Sequence, residues 1–175
     1  MLITIGGLPG SGSSTIGTLL SEKLERKRID AGDLWDKMAR DHNTDVLGLN
    51  VLAEKDTSID TELDERMIET AKNNNTIILE SRLIGYFCKQ KNIPAFKIWL
   101  TADQEIRVNR LKKDGRLSER VIEREESEKK RYKERYNIDI DDVSVYDLVV
   151  DASDKLPGEI VSDIIHTLKD NGIID

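Results

Sequence analysis

One cysteine, Cys88, in 175 residues excludes an internal disulfide, so nothing ties the chain to an oxidising compartment and a reducing one fits. No segment approaches the roughly 20 apolar residues needed to span a bilayer. Met1 runs directly into Leu2-Ile3-Thr4-Ile5 with no basic leader and no small-residue cleavage site, so a cytoplasmic protein is expected. A basic excess is also missing: 27 Lys and Arg stand against 34 Asp and Glu, a formal net charge of -7. That balance argues against nucleic acid or an anionic membrane as partner, although clustered arginines can still build a local anion pocket. His42 and His166 are isolated, without metal-ligand spacing, and no repeat or low-complexity tract interrupts the chain.

What is present suits one globular domain. Hydrophobic residues make up 38% and charged residues 35%, with both signs interspersed. The length allows one continuous core and is short for two. Leu2 to Ile5 is an apolar, β-rich run leading into a glycine-rich stretch, after which Ile16, Leu19, Leu20 and Leu24 recur at helical spacing. A charged unit of helical period spans 34–71, with Asp33 expected as its N-cap. Thr76 to Leu79 and Ala95 to Leu100 read as buried strands. Gln104 to Leu111 and Val121 to Tyr136 read as helices, Tyr146 to Val150 as a strand, and a last amphipathic helix follows Pro157. Trp35 and Trp99 fit a core better than a stacking platform. Strands alternating with helices predict an α/β three-layer domain around a parallel sheet, with ligands at the carboxyl ends of the strands.

Gly7-Leu8-Pro9-Gly10-Ser11-Gly12-Ser13-Ser14-Thr15 has the spacing of the phosphate-binding G-x-x-x-x-G-K-[ST] loop, except that Ser13 stands where lysine is usual. Glycines let successive N–H groups turn inward and the following helix adds its positive end, making an anion cradle from backbone alone. Without its lysine the pattern arises by chance on the order of 0.1 times in a chain this long, so its weight comes from context, after a first strand and before a helix. A glycine-rich turn without a ligand is the alternative. Ser14 occupies the position whose hydroxyl meets Mg²⁺ on the β- and γ-phosphates of ATP. A transferase lacking the lysine needs other cations in the transition state, and Arg107, Arg110, Arg116, Arg120, Arg124 and Arg131 are available.

Leu79-Glu80-Ser81-Arg82 sets a carboxylate and a guanidinium at the end of a buried strand, on the ligand edge of the sheet. Arg82 suits an acceptor phosphate, which guanidinium grips bidentately, with a surface ion pair as the alternative. Glu80 could hold Mg²⁺ through water or pair with an arginine. Arg124 and Arg131, seven apart, share a helix face that could equally be a solvated, ion-paired surface. Asp60 and Asp64 could read an exocyclic amine or be ordinary surface.

Taken together and in order, several blocks resemble the archaeal-type cytidylate kinases of the P-loop nucleoside monophosphate kinase superfamily. They are residues 7–15, Ala31-Gly32-Asp33, Ala53-Glu54-Lys55-Asp56, Leu79-Glu80-Ser81-Arg82-Leu83, Lys97-Ile98-Trp99-Leu100, Ile122-Glu123-Arg124-Glu125-Glu126-Ser127-Glu128 with Lys130-Arg131-Tyr132, and Tyr146-Asp147-Leu148-Val149. The resemblance implies a core carrying the phosphate loop, an acceptor-binding helical insertion at 34–71 and a mobile lid at 114–136. It implies ATP as donor with Mg²⁺, CMP or dCMP as acceptor, and a monomer. Arg82 would grip the acceptor phosphate, Arg124 and Arg131 would span the phosphoryl path, and Asp33, Lys37, Asp60 and Asp64 would serve the acceptor. The Ser13 hydroxyl in place of lysine is similar to the archaeal pattern. One departure stands out: three residues after Asp33 the family typically carries an arginine, and here Asp36 stands there, with Lys37 or Arg40 as weaker substitutes. Asp36 keeps another nucleotide or a small metabolite open as acceptor, and the lost lysine keeps open a nucleotide-binding regulator without transfer activity.

Overall fold

The structure, a computed structural model, describes residues 1–115 and 121–175, except the side chains of Val121, Glu123 and Arg124. In chain order the elements are β1 (Leu2–Gly7), α1 (Ser13–Leu24), β2 (Arg28–Asp30), α2 (Ala31–Asp41), α3 (Val46–Lys55), α4 (Ser58–Asn73) and β3 (Ile78–Glu80). They continue with α5 (Ile84–Gln90), β4 (Ala95–Thr101), α6 (Gln104–Lys113), α7 (Val121–Tyr136), a 3₁₀ turn at Val143–Val145, β5 (Leu148–Asp151) and α8 (Pro157–Asp170). The described strands form one five-stranded sheet in the order β2-β3-β1-β4-β5, with parallel pairing throughout. The α/β three-layer expectation holds.

Side-chain alternation along each strand divides the apolar residues between two cores. Ile3, Ile5, Ile78, Ile98 and Leu100 face Ile16 and Leu20 of α1 and Ile160, Val161, Ile164 and Leu168 of α8. Leu2, Leu79 and Trp99 face the other way, against Met67 and Ala71 of α4 and Ile84, Phe87 and Cys88 of α5. Burial on both faces explains why these strands read as continuous apolar runs rather than alternating ones. The segment predicted as a helical insertion folds as α2, α3 and α4 around a small core of its own, Met38, Ala39, Leu49 and Ile59. Among the described residues no helix is long and apolar enough to cross a membrane.

Two local readings are corrected. Asp33 is not the N-cap of α2; Asp30 is. The Asp30 carboxylate accepts the Asp33 N–H at 2.8 Å, and the Asp33 carboxylate accepts the Asp30 N–H at 2.9 Å, a reciprocal capping box. The short strand β2 precedes that cap, and α5 follows β3; neither emerged from sequence periodicity. Trp99 lies in the main core as expected, and Trp35, half-buried, packs against the small core of α2–α4 while donating its indole N–H to Asn50 at 2.9 Å.

Because β1 lies between β3 and β4 while the chain first crosses outward to β2, the carboxyl end of β1 is a switch point of the sheet, where ligands of such folds bind. Register places Ile5 of β1 and Asp30 of β2 both level with Glu80 of β3. That end of the sheet is where the phosphate loop begins.

Candidate active site

The loop leaves β1 at Gly7 and enters α1 at Ser13. Gly10 has φ 81° and Gly12 φ 97°, a left-handed geometry that side chains resist. A Cβ at Gly10 would also lie 2.5 Å from the Arg107 carbonyl oxygen, so the loop rests directly on α6. Gly12 caps α1 with no side-chain bond, leaving the positive end of the helix turned to the loop. All of residues 7–15 line a 700 Å³ cavity, and Arg82, Arg110, Lys113 and Lys155 bring cations to its wall. These stand around the site from which the loop lysine is missing. Arg110 is anchored by donating to the Ala152 carbonyl at 2.6 Å and, more loosely, to Gly10 and Ser11 at 3.4 Å.

A second cavity of 290 Å³ opens on the other side of the loop, between Glu80, Ser81 and Arg82 after β3 and Asp30, Ala31 and Gly32 at the start of α2. Gly7, Ser13, Ser14 and Arg82 belong to both walls. The two spaces therefore meet at the residue that replaces the lysine and at the guanidinium predicted to hold an acceptor phosphate.

The sequence left open whether Glu80 holds a metal or pairs with an arginine, and its geometry serves both. Its carboxylate is 6% exposed and accepts the Ser14 hydroxyl on Oε1 at 2.8 Å. On Oε2 it receives Arg28 Nε at 2.8 Å and Nη2 at 2.6 Å. Ser14 and Glu80 are adjacent hard oxygen donors beside the phosphate loop, the donor chemistry Mg²⁺ takes when it arrives with a nucleotide and keeps several waters.

Arg82 donates to Glu128 and, at 3.3 Å, to the Tyr132 hydroxyl, both on α7. Burial works against its charge, but Tyr132 and Glu128 outweigh that and hold the guanidinium above its ordinary value. Arg107, also expected near the phosphates, instead forms a buried bidentate pair with Glu125 of α7 at 2.6 and 3.1 Å and donates to the Pro9 carbonyl of the loop at 2.9 Å. Arg107 and Glu125 are each 6% exposed. Arg131 is exposed on α7, 4.0 Å from Glu128, outside the described lining of both cavities. The Arg124 side chain, like Arg116 and Arg120, lies outside the described residues.

On the acceptor side, Asp36 and Lys37 are exposed on α2, and the described cavity walls include neither them nor Asp60 and Asp64. Asp64 accepts a short hydrogen bond from the Tyr136 hydroxyl, linking α4 to the end of α7. Burial pushes its carboxyl above the usual range, Asp60 adds to the rise, and the Tyr136 bond and Arg135 oppose it. Burial first, and then the same contact, push Tyr136 up to about 12.

Two outcomes follow from these pairs. Arg107→Ala leaves Glu125 buried and unpaired, and equilibrium denaturation should show a loss of about 3–5 kcal/mol. Replacing both partners together, Arg107→Met with Glu125→Leu, should cost distinctly less, since no orphan charge remains. For Asp64, a raised folded-state pKa means its contribution to stability is complete at low pH and falls as pH rises through that value. Asp64→Asn lacks this loss, so the melting temperature of the variant relative to the parent should increase from pH 4 to pH 7; a difference independent of pH contradicts the assignment.

Comparison with known proteins agrees with this geometry. The model of the Cytidylate kinase-like family matches residues 2–154. The cytidylate kinase of Methanococcus vannielii is 45% identical over 159 residues, covering 87% of this chain and 91% of that one. That of Methanocaldococcus jannaschii is 42% identical over 177 residues, covering 98% of each. Among solved structures, shikimate kinase from Bacteroides thetaiotaomicron superposes with a TM-score of 0.69 at 14% identity over 97% of this chain and 98% of that one, a likeness of fold alone. With its phosphate loop, parallel sheet and helical insertion in place and its sequence matched from strand β1 to beyond β5, the chain belongs to the cytidylate kinase-like family.

Proposed function

We propose that the protein transfers the γ-phosphoryl group of ATP to CMP or dCMP, giving ADP and CDP or dCDP, as a cytoplasmic monomer acting on small nucleotides. The observation that carries this reading is the meeting of two cavities at Ser13, Ser14 and Arg82. A donor phosphate chain on the loop and an acceptor phosphate beside α2 would face one another there, as in-line transfer requires. Family membership supplies the acceptor base, since the relatives at 42–45% identity are cytidylate kinases.

An acceptor phosphate oxygen attacks the γ-phosphorus, the bond to the β-bridging oxygen breaks, and ADP leaves. The loop backbone and the α1 terminus hold the donor phosphates, while Arg82 holds the acceptor phosphate and draws it toward the loop. To do so Arg82 exchanges Glu128 for the phosphate, so acceptor binding and release of a lid contact become one event. Mg²⁺, held by the Ser14 hydroxyl and Glu80, would neutralise the β- and γ-phosphate oxygens. Arg124 and Arg131 are assigned to the phosphoryl path, with the segment 114–136 closing as a lid that excludes water. Asp33, Lys37, Asp60 and Asp64 are the candidates for orienting the acceptor. Asp64 already holds Tyr136 through Oδ2, which leaves Oδ1 for a base.

The test is ADP release from MgATP with CMP, dCMP, UMP, AMP or GMP, and with no acceptor. Fast release with CMP or dCMP alone is expected; silence across the panel despite ATP binding rejects the reading, and preference for another nucleotide assigns the departure at Asp36 to a changed acceptor. Arg82→Ala should raise KM for the acceptor at least tenfold more than KM for ATP, and Arg131→Ala should lower kcat more than it weakens nucleotide binding.

A further inference from the structure

Arg28 belongs to no phosphate-loop or acceptor motif, yet it is the group that fixes the carboxylate beside Ser14. Its Nε and Nη2 both reach Glu80 Oε2, at 2.8 and 2.6 Å, and Nη2 is held in turn by Asp30 Oδ2 at 2.7 Å. Asp30 is itself immobilised as the N-cap of α2. From the opposite side α1 packs directly on the pair: a Cβ at Gly17 would lie 2.9 Å from Glu80 Oε2 and 3.0 Å from Arg28 Nε. Both Arg28 nitrogens bond Oε2, Asp30 braces Arg28 and α1 packs against Oε2 at Gly17, so Oε1 is left to the Ser14 hydroxyl, with a further lone pair for a metal or a metal-bound water.

We propose that Arg28 is a positioning residue for the Mg²⁺ that accompanies ATP, acting through Glu80 by holding Oε1 toward Ser14. The proposal rests on the reading of Ser14 and Glu80 as the metal-side donors. Outer-shell partners of this kind typically change metal affinity by about 10–100-fold when removed. Charge and orientation act oppositely here. The positive charge of Arg28 repels a nearby cation, while its planar fork fixes the ligand. Lysine keeps the charge and loses the fork, so it isolates the positioning effect.

The experiment measures Mn²⁺ binding to the enzyme–ADP complex by electron paramagnetic resonance, alongside the Mg²⁺ concentration for half-maximal activity and the melting temperature. Arg28→Lys should weaken Mn²⁺ binding and raise the Mg²⁺ requirement about tenfold, with KM for ATP at saturating Mg²⁺ changed less than twofold. Gly17→Ala, which keeps every charged group but crowds the pair, should shift metal binding the same way. Arg28→Met loses the fork but also relieves the repulsion, and its shift should be smaller than that of Arg28→Lys. Glu80→Gln separates the two levels of the argument. If it weakens Mn²⁺ binding and Arg28→Lys does not, the positioning role is wrong; if Glu80→Gln leaves binding unmoved, the metal-side reading of Glu80 is wrong. A lowered melting temperature in Arg28→Lys with metal binding unchanged makes Arg28 a purely structural ion pair and overturns the proposal.

Discussion

An arginine close to a phosphate site is useful only if it is already desolvated and aimed, and a desolvated guanidinium needs a carboxylate until the phosphate arrives. This constraint organises the loop region. Among the described residues three arginine–glutamate pairs surround it: Arg28 with Glu80, Arg82 with Glu128, and Arg107 with Glu125. The first joins β2 to β3, the second the segment after β3 to α7, and the third α6 to α7. Because Ser13 replaces the loop lysine, none of this charge comes from the loop, and the cations are supplied from β2, α6 and the segment after β3.

The pairs differ in how exchangeable they are. Arg107 and Glu125 are almost wholly buried, and the same guanidinium holds the Pro9 carbonyl, so this pair pins α7 to the loop through α6. Arg82 and Glu128 are more open, with side chains 25% and 19% exposed, and the arginine borders both cavities. Glu125 and Glu128 lie three apart, on adjoining positions of one helix face. One face of α7 thus carries a nearly buried contact at Glu125 and a more open one at Glu128.

Much of this frame was legible in the sequence because it is local. The phosphate loop is a run of consecutive residues whose glycines have a definite backbone purpose, and φ 81° at Gly10 and 97° at Gly12 meet it. The α7 boundaries were readable from charged helical character alone. Strand β2 was not, because its three half-buried residues show no period, and α5, seven residues long, is too short to show one. Asp33 was mistaken for a cap because Asp30 and Asp33 both satisfy the rule and only the reciprocal bonds distinguish them. The pairings were illegible for another reason: Arg28 and Glu80 are 52 positions apart and Arg107 and Glu125 are 18 apart, and no local signal joins either. Arg28 opens β2, a strand without a periodic signal, so nothing local marks it out.

The departure at Asp36 gains meaning from the same geometry. Among the described residues lining the acceptor-side cavity, Arg82 is the cation, while Asp30 and Glu80 are anions. The Glu80 charge is offset by Arg28, and the Asp30 charge by Arg28 and by the Asp33 N–H at the start of α2. Ala31 and Gly32, the first residues of α2, also line the cavity, which brings the positive end of that helix to it. A phosphate placed there would meet one guanidinium and one helix terminus. Without Arg28, Glu80 would lose its counter-charge and Asp30 would keep only the N–H of the helix start, leaving the cavity more negative. Arg28 thus supports both sides of the loop, orienting a carboxylate on the donor side and cancelling carboxylate charge on the acceptor side.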